Sequence, residues 1–191
     1  MSQGNGRSGG VRIVGGHWRG TRLPVGDAPG LRPSADRVRE TLFNWLMPAL
    51  PGARTLDLFA GSGALGLESI SRGAASATLV ERDAGLVREI RDVTARLEGG
   101  EAAEVVQADA IAWLARAAGE GRRYDIAFVD PPFAGDLWAA ALAGLQPLMA
   151  DDAWLYVETP LNAHVDMPPD WRLHREGSTR EVAYRLWRRT S

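Results

Sequence analysis

The sequence contains neither cysteine nor lysine, and it has only three histidines. The absence of cysteine excludes disulfides, a thiolate nucleophile and cysteine-based zinc sites. His17, His164 and His174 are scattered along the chain, so we expect no histidine cluster and no bound metal. Hydrophobic residues make up 45% of the chain, which suffices for a core that needs neither disulfides nor a metal.

Long apolar runs are also missing. No stretch reaches the roughly 18 apolar residues that a membrane helix requires. Residues 1–10, MSQGNGRSGG, are polar and glycine-rich, without the apolar segment of a secretory signal. We therefore expect a disordered tail over residues 1–10 and a soluble, cytoplasmic protein that acts as a monomer.

All 22 basic residues are arginine, and they concentrate at the two ends of the chain. Residues 1–41 carry seven arginines and a net charge of +4, and residues 171–191 carry six arginines and again +4. Because the whole chain has a formal net charge of −2, the residues between these ends carry −10. Arginine usage alone can reflect coding bias, but basic ends on an acidic body indicate a polyanionic partner.

The length of 191 residues fits one α/β domain with a short appendage. Residues 11–25 alternate apolar and polar side chains around glycines, which predicts a β-hairpin, and a loop rich in proline and glycine follows. Ser34 is a candidate N-cap of the first helix. We therefore divide the chain into a tail over 1–10, a hairpin and loop over 11–33, and a main domain over 34–191.

Beyond residue 50, strand-like and amphipathic segments alternate. Strands are predicted near 54–59, 77–81, 103–107, 124–129 and 153–158, and helices near 63–72, 84–97, 109–118 and 136–146. This alternation predicts a parallel sheet with helices on both faces. The segments WRLHRE and EVAYRLWRR, separated by GST, predict a closing hairpin.

The first chemical signal is the segment TLDLFAGSGALGLES. Its residues 61–66 follow the pattern G-x-G-x-x-G between a strand and a helix, where backbone N–H groups and close approach favour a nucleotide. Glu81 ends the next strand 20 residues after Gly61, where its carboxylate can accept hydrogen bonds from both ribose hydroxyls. Glycines that serve only a tight turn are the alternative, and the acidic residue at this spacing argues against it.

These features fit dinucleotide oxidoreductases almost as well as methyltransferases that use S-adenosylmethionine, and Asp57 favours the second class. It lies in the strand four residues before Gly61, where it would repel a pyrophosphate but attract a sulfonium or ammonium group. Asp109, after the third strand, could accept a hydrogen bond from an adenine amino group. It is equally suited to cap the next helix, and both roles are compatible.

The fourth predicted strand ends in VDPPF, at the edge of the sheet where α/β proteins bind ligands. Pro131 and Pro132 lack N–H groups and Asp130 accepts when ionised, so this turn offers hydrogen-bond acceptors and almost no donors. Phe133 offers a face on which a base can stack. Such a pocket fits an exocyclic amino group. Its lone pair is delocalised into the base ring, and it becomes available for attack when acceptors hold both N–H bonds and pull the nitrogen toward tetrahedral geometry. A strand end merely stiffened by prolines is the alternative interpretation.

Together, the glycine segment, VDPPF, GGHWRGTRL and LRPSADRVRETLFNWL resemble the bacterial small-subunit ribosomal RNA guanine-N2 methyltransferases, from about Val11 to Arg188. The resemblance implies the class I methyltransferase fold, a Rossmann-like α/β fold with a mostly parallel seven-stranded sheet and an antiparallel last strand. His17 and Thr21 depart from the family pattern, which often has glutamine and a basic residue there.

The resemblance also implies the site. S-adenosylmethionine would be the cofactor, and its binding residues would be Asp57, Gly61, Ser62, Gly63, Glu81, Asp109 and Ala110. The catalytic residues would be Asp130, Pro131, Pro132 and Phe133.

The implied substrate is one guanine of small-subunit (16S) ribosomal RNA, within an assembled or assembling 30S particle. The basic ends fit such a partner. On the hairpin, Arg12, Arg19 and Arg22 could meet phosphates while Trp18 stacks on an unpaired base. Three further arginines, Arg32, Arg37 and Arg39, precede the sheet near the expected cofactor site. Surface solubility and ion pairs within the helix are the alternative explanation.

The sequence thus predicts an enzyme that transfers a methyl group from S-adenosylmethionine to guanine N2 of ribosomal RNA, after the base is flipped into the pocket. The first alternative is methylation of an adenine N6 amino group in DNA or RNA, which VDPPF permits. The others are a nicotinamide oxidoreductase and an RNA-binding assembly factor that has lost turnover.

Overall fold

The computed structural model describes residues 10–24 and 33–190, without the side chains of residues 33–35. Residues 1–9 of the predicted tail and residues 25–32 of the predicted loop, which include Arg32, lie outside the described residues. None of the helices within the described ranges is long and apolar enough to cross a membrane. In chain order the regular elements are α1 Pro33–Leu46, β1 Arg54–Asp57, α2 Ala64–Ser71, β2 Ser76–Glu81, α3 Ala84–Thr94, β3 Ala103–Gln107, α4 Ala110–Ala117, β4 Tyr124–Val129, α5 Trp138–Leu145, β5 Met149–Pro160, β6 Trp171–Ser178 and β7 Val182–Arg189.

The seven strands form one sheet in the order β3-β2-β1-β4-β5-β7-β6. Strands β1 to β5 pair in parallel, and β7 is antiparallel to both β5 and β6. This confirms the predicted mostly parallel sheet with an antiparallel last strand, and the closing hairpin of β6 and β7.

Helices cover both faces of the sheet. Leu79 and Phe128 are both in register with Asp57, so they share one face, where they pack against residues of α1, α2 and α3. Their neighbours Val80 and Val129 point to the other face and pack with α4 and α5. The cores on the two faces fix the sheet, and therefore the positions at which its strands end.

Several element boundaries differ from the prediction, and two of these differences have a clear structural cause. Helix α1 begins at Pro33, so Ser34 lies in its first turn and is not its N-cap; proline suits this first helical position. Strand β5 is longer than predicted because it pairs with β4 on both sides of a register shift, Tyr124 with Met149 and Ile126 with Trp154. The exposed pair Asp151-Asp152 lies in that irregular stretch and interrupts the apolar pattern.

The predicted N-terminal hairpin is reduced to a single antiparallel bridge, Arg12 opposite Arg22. The N–H of Ile13 donates to the Thr21 carbonyl at 3.0 Å and that of Gly20 to the Ile13 carbonyl at 2.8 Å, both across the hairpin. Other N–H groups of the segment bind α2. Val14 and Gly15 donate to the Glu68 carboxylate at 3.1 and 3.0 Å. The predicted hairpin is therefore present but short, because α2 binds N–H groups that would otherwise be free to extend its ladder.

The Glu68 carboxylate also holds two arginines. Its side chain is completely buried, and Arg72 Nη2 lies 2.8 Å and Arg39 Nε 3.1 Å from its oxygens. Arg39 in turn donates to the backbone carbonyl of Arg12. A buried carboxylate needs such partners, since an unpaired one would cost several kcal/mol. This network attaches the N-terminal segment to α1 and α2.

Candidate active site

A cavity of about 550 Å³ opens at the carboxyl ends of β1, β2, β3 and β4. Ligands of parallel α/β sheets bind at this edge. Gly63, the N-cap of α2, is not among the residues that line the cavity. The other predicted cofactor and catalytic residues all line the cavity: Asp57, Gly61, Ser62, Glu81, Asp109, Ala110, Asp130, Pro131, Pro132 and Phe133.

The glycine loop turns the chain from β1 into α2. Gly63 has a left-handed φ of 77° and donates its N–H to the Ala60 carbonyl at 2.7 Å. At Gly66 an added Cβ would lie 2.8 Å from Cγ of Leu79 on β2. Glycine there lets the helix approach the sheet, which is the role expected of the third glycine in the motif.

Asp57 lies at the end of β1, almost fully buried. Its Oδ2 accepts the N–H of Gly66 at 2.9 Å. Burial raises the pKa of Asp57 to about 7, a rise that the Gly66 hydrogen bond opposes and the nearby Glu81 charge reinforces. A cation entering the cavity would favour the ionised form, so Asp57 can select a positively charged ligand.

Glu81 and Asp109 present further acceptors to the cavity. Glu81 already accepts the N–H of Gly61 and of Asp83, both at 2.8 Å, so each of its oxygens keeps one lone pair for another donor. Asp109 caps α4 through the N–H of Ala112 at 3.0 Å, which confirms the capping alternative. Because only one of its oxygens caps the helix, the adenine contact remains compatible.

Asp130 follows β4 at the rim of the cavity. Its carboxylate accepts no hydrogen bond from the residues that the structure describes. Its pKa is raised well above the ordinary value, first by burial and then by the charges of Glu158 and Asp57. Phe133, three residues further along the chain, is 47% exposed and packs against Trp138, with ring centres 6.0 Å apart. The motif therefore combines an unsatisfied carboxylate with a supported and accessible aromatic ring.

Glu158 was missed by the sequence analysis. It lies near the carboxyl end of β5, where Tyr156 Oη donates to its Oε2 at 2.8 Å. Burial raises the pKa of Glu158, and the Tyr156 hydrogen bond opposes that rise. The signal was present in the sequence, because Asp57, Glu81 and Asp130 were all found as carboxylates at strand ends. The segment WLYVETP repeats that pattern on the fifth strand.

The hairpin arginines are exposed. Arg12, Arg19 and Arg22 form no ion pair with any residue in the described ranges. Arg12 and Arg22 lie directly opposite each other across the antiparallel bridge, and like charges in that position are destabilising. An anion bound between them would relieve this repulsion.

Trp18 and Arg39 do not belong to that exposed surface. Trp18 is 5% exposed, and its Nε1 donates to the Glu98 carbonyl at 3.0 Å. Its backbone N–H donates to Ser71, at the end of α2 that lies about 12 Å from the helix start beside the cavity. Arg39 is 6% exposed and bound to Glu68. This burial contradicts the expectation that both side chains contact RNA.

A second cavity, of about 420 Å³, lies between α1 and the turn that joins β6 to β7. Its lining includes the exposed Arg37 and Arg180, the acidic Glu181, and Thr179 and Tyr184. Because Val182 pairs with Pro160 at the carboxyl end of β5, this turn lies at the same edge of the sheet as the first cavity. Arg180 was not singled out from the sequence, where it is one of six arginines in the last segment.

The sheet order, the antiparallel last strand and the glycine loop beneath a strand-end cavity define a class I methyltransferase fold. Solved structures agree. A putative methyltransferase from Escherichia coli matches with a TM-score of 0.84 and 47% identity over 96% of this chain and 99% of its own. A hypothetical protein from Thermus thermophilus matches with a TM-score of 0.76 and 33% identity, over 92% of this chain and 98% of its own. A putative methyltransferase complexed with S-adenosylhomocysteine, 14% identical, shares the fold with a TM-score of 0.71 over 87% of this chain and 52% of its own.

Residues 11–188 match the family described as Conserved hypothetical protein 95, and the chain belongs to this family. Curated relatives include the ribosomal RNA small subunit methyltransferase D of Escherichia coli K12, 49% identical over 95% of this chain and 91% of the relative. The protein of the same name from Haemophilus influenzae is 39% identical over 93% of each chain.

Proposed function

We propose that this protein transfers a methyl group from S-adenosylmethionine to N2 of one guanine in small-subunit ribosomal RNA. The observation that carries the proposal is that the acceptor-only turn Asp130-Pro131-Pro132 and the accessible ring of Phe133 together line the 550 Å³ cavity. The curated relatives are named as methyltransferases of small-subunit ribosomal RNA, which supports the substrate class. We place the enzyme in the cytoplasm, acting as a monomer on an assembled or assembling 30S particle.

The cavity fits the cofactor in both size and chemistry. Its volume lies within the range of about 300–1,000 Å³ that small-ligand sites occupy. Asp57 suits the positive charges of S-adenosylmethionine, Glu81 its ribose hydroxyls and Asp109 its adenine amino group, with Ser62 and Ala110 beside them. S-adenosylmethionine supplies a methyl carbon bonded to positively charged sulfur, which leaves as a neutral thioether.

The catalytic turn prepares the guanine amino group. This nitrogen is a poor nucleophile because its lone pair is delocalised into the purine ring. The Asp130 carboxylate and the Pro131 carbonyl would accept its two N–H bonds, which favours a tetrahedral nitrogen with its lone pair free. After the N–C bond forms, the nitrogen carries one proton too many, and Asp130 can take it because its pKa is raised. Phe133 would stack on the flipped base.

The RNA would contact two basic surfaces at different distances from the target base. Arg37 and Arg180 line the second cavity at the edge that holds the active site. Arg12, Arg19 and Arg22 lie on the N-terminal segment, which is bound along α2. We expect the first pair to bind phosphates beside the target nucleotide and the hairpin arginines to dock a more distant part of the particle.

Replacing both Arg37 and Arg180 by alanine is expected to weaken RNA binding and to flatten its salt dependence. Each lost phosphate contact lowers the slope of log K against log salt by about 0.7–0.9. Binding titrations at several salt concentrations measure both the affinity for RNA and this slope. Arg116→Ala with Arg123→Ala removes the same charge near the opposite edge of the sheet and serves as the control. Equal slopes in the two double variants would show that the second cavity does not bind RNA.

Nucleoside mass spectrometry of ribosomal RNA from cells with and without the gene tests the function. We expect N2-methylguanosine to fall by one residue per small subunit and to return when the intact gene is restored. Loss of N6-methyladenosine would instead support the adenine alternative that VDPPF permits. Unchanged nucleosides would contradict the proposal and leave an RNA-binding assembly factor.

A further inference from the structure

The sheet places a second carboxylate beside Asp130. Val129 on β4 is in register with Val157 on β5. The residues that follow, Asp130 and Glu158, therefore stand side by side on adjacent parallel strands, which are about 4.8 Å apart. The charge of Glu158 also contributes to the raised pKa of Asp130.

Trp138 ties Glu158 to the ring that would stack on the base. Its indole packs against Phe133 with ring centres 6.0 Å apart. The same indole donates its Nε1–H to the backbone carbonyl of Glu158 at 2.8 Å. One buried side chain therefore fixes both the stacking surface and the backbone that carries the second carboxylate.

One oxygen of Glu158 is held and the other is available. Tyr156 donates to Oε2 at 2.8 Å, whereas Oε1 accepts no hydrogen bond from the residues that the structure describes. Over the same residues, neither Glu158 nor Asp130 forms an ion pair with an arginine. Two neighbouring carboxyl groups with one donor between them suit a guest that supplies N–H groups.

Glu158 also stands between the two cavities. Asp130, on one side, lines the cofactor cavity. Tyr184, in register with Glu158 on the other side, lines the cavity that holds Arg37 and Arg180. A base whose amino group faces the cofactor and whose backbone reaches these arginines must pass over Glu158.

We infer that Glu158 accepts the N1–H of the target guanine through Oε1 and thereby makes the enzyme specific for guanine. The inference rests on the proposed function, since it assumes that the N2 amino group is held by Asp130. Guanine presents three N–H bonds side by side, one on N1 and two on N2, and two adjacent carboxylates match them. Adenine has an unprotonated N1, whose lone pair would face the carboxylate and be repelled.

Replacing the target guanine by a purine analogue without the N1–H tests the contact between Glu158 and N1. 2,6-Diaminopurine keeps the 2-amino group of guanine but has an unprotonated N1 and an amino group at C6. Small-subunit particles are reconstituted with RNA that carries either guanine or diaminopurine at the target position, located by mass spectrometry. Single-turnover rates of methyl transfer to N2 are then measured with the full-length enzyme. The wild-type enzyme is expected to prefer guanine by about 100-fold or more, as sites built around a hydrogen bond do.

Glu158→Gln should narrow or invert this preference. Because Tyr156 donates to one position, the glutamine oxygen occupies it and the NH₂ group takes the place of Oε1, where it can donate to N1 of diaminopurine. In Glu158→Ala the guanine rate should fall to the diaminopurine rate, while the diaminopurine rate does not fall. Asp152→Asn removes an exposed carboxylate from the same strand and should change neither rate.

The outcomes separate the inference from the proposed function. If the wild-type enzyme transfers no methyl group to guanine N2, the proposed function fails. If it does, but both Glu158 variants keep the wild-type preference, Glu158 does not contact N1 and only the inference is overturned. In both Glu158 variants the guanine rate and the diaminopurine rate could also fall by the same factor while S-adenosylhomocysteine binding is unchanged. Glu158 would then be a structural residue, and the inference would be overturned too.

Discussion

Replacing Asp130 by alanine is expected to slow methyl transfer by about 10²–10⁴-fold, the range of a positioned group in proton-transfer chemistry. Asp130 accepts no hydrogen bond from the described residues, so its removal leaves the contacts of the glycine loop in place. Binding of S-adenosylhomocysteine should therefore change by no more than a few fold. Single-turnover rates on reconstituted particles, with calorimetry for the cofactor, measure both quantities.

Asp130→Asn separates the two tasks of this side chain. Its carbonyl can still accept an N–H of the substrate, but the amide cannot take up a proton. Because the pKa of Asp130 is raised, which suits a proton acceptor, we expect the asparagine variant to be nearly as slow as the alanine variant. A much faster asparagine variant would mean that holding the amino group dominates.

The exposed Asp136 provides a matched control, since Asp136→Asn changes the same functional group six residues along the chain. It should keep the wild-type rate, and its left-handed backbone conformation, with a φ of 42°, tolerates asparagine. Near-wild-type turnover in Asp130→Ala would show that VDPPF is only a stiff turn and that the active site lies elsewhere.

Much of the fold could be predicted because local signals agree with the tertiary structure. Apolar runs bounded by glycine or aspartate became β2, β3 and β4 within one residue of the predicted ends. The N-terminal segment could not be predicted in the same way, because its alternating pattern fits two strands. Several of its backbone N–H groups instead bind Glu68 and Ser71, which are more than 50 residues away along the chain. Hydrogen bonds to partners so distant in sequence cannot be recognised from the local residue pattern.

The site shows the same division. Carboxylates at strand ends are visible in the sequence, since parallel strands end at one edge. The strand order decides which of these carboxylates lie side by side, and the sequence does not show that β5 lies beside β4. Burial raises the pKa of both Asp130 and Glu158, and the neighbouring Glu158 charge raises that of Asp130 further. The burial of Trp18 likewise depends on its packing against α2 and α3, whereas an aromatic residue among arginines favours an RNA contact when only the sequence is considered.

Replacing Asp57 by asparagine is expected to stabilise the ligand-free protein at alkaline pH. The pKa of Asp57 is raised from 3.8 to about 7, so the folded protein binds this proton more tightly than the unfolded chain. Its contribution to stability is therefore present at low pH and is lost as the pH rises from about 4 through about 7. At pH 8 the ionised, buried carboxylate costs about 4 kcal/mol relative to its protonated form.

The asparagine side chain stays neutral at every pH, and its oxygen can still accept the N–H of Gly66. Urea unfolding at pH 5 and pH 8 should thus show a loss of stability in the wild-type protein that is about 2–3 kcal/mol smaller in Asp57→Asn. Asp92→Asn, an exposed position on α3, controls for the change in net charge. Equal pH dependence in the wild-type protein and in Asp57→Asn would contradict the buried ionisation.

The same variant should bind S-adenosylmethionine more weakly, because the attraction between the carboxylate and the cationic ligand is lost. A charge-assisted hydrogen bond contributes about 1.5–3 kcal/mol, which corresponds to a loss of affinity of roughly 10–150-fold. Stability would then rise while affinity falls, as expected when a binding site keeps a buried charge that the fold itself does not need. Calorimetric titration with S-adenosylmethionine at pH 8 measures the loss. Unchanged affinity would show that Asp57 does not face the charged part of the cofactor.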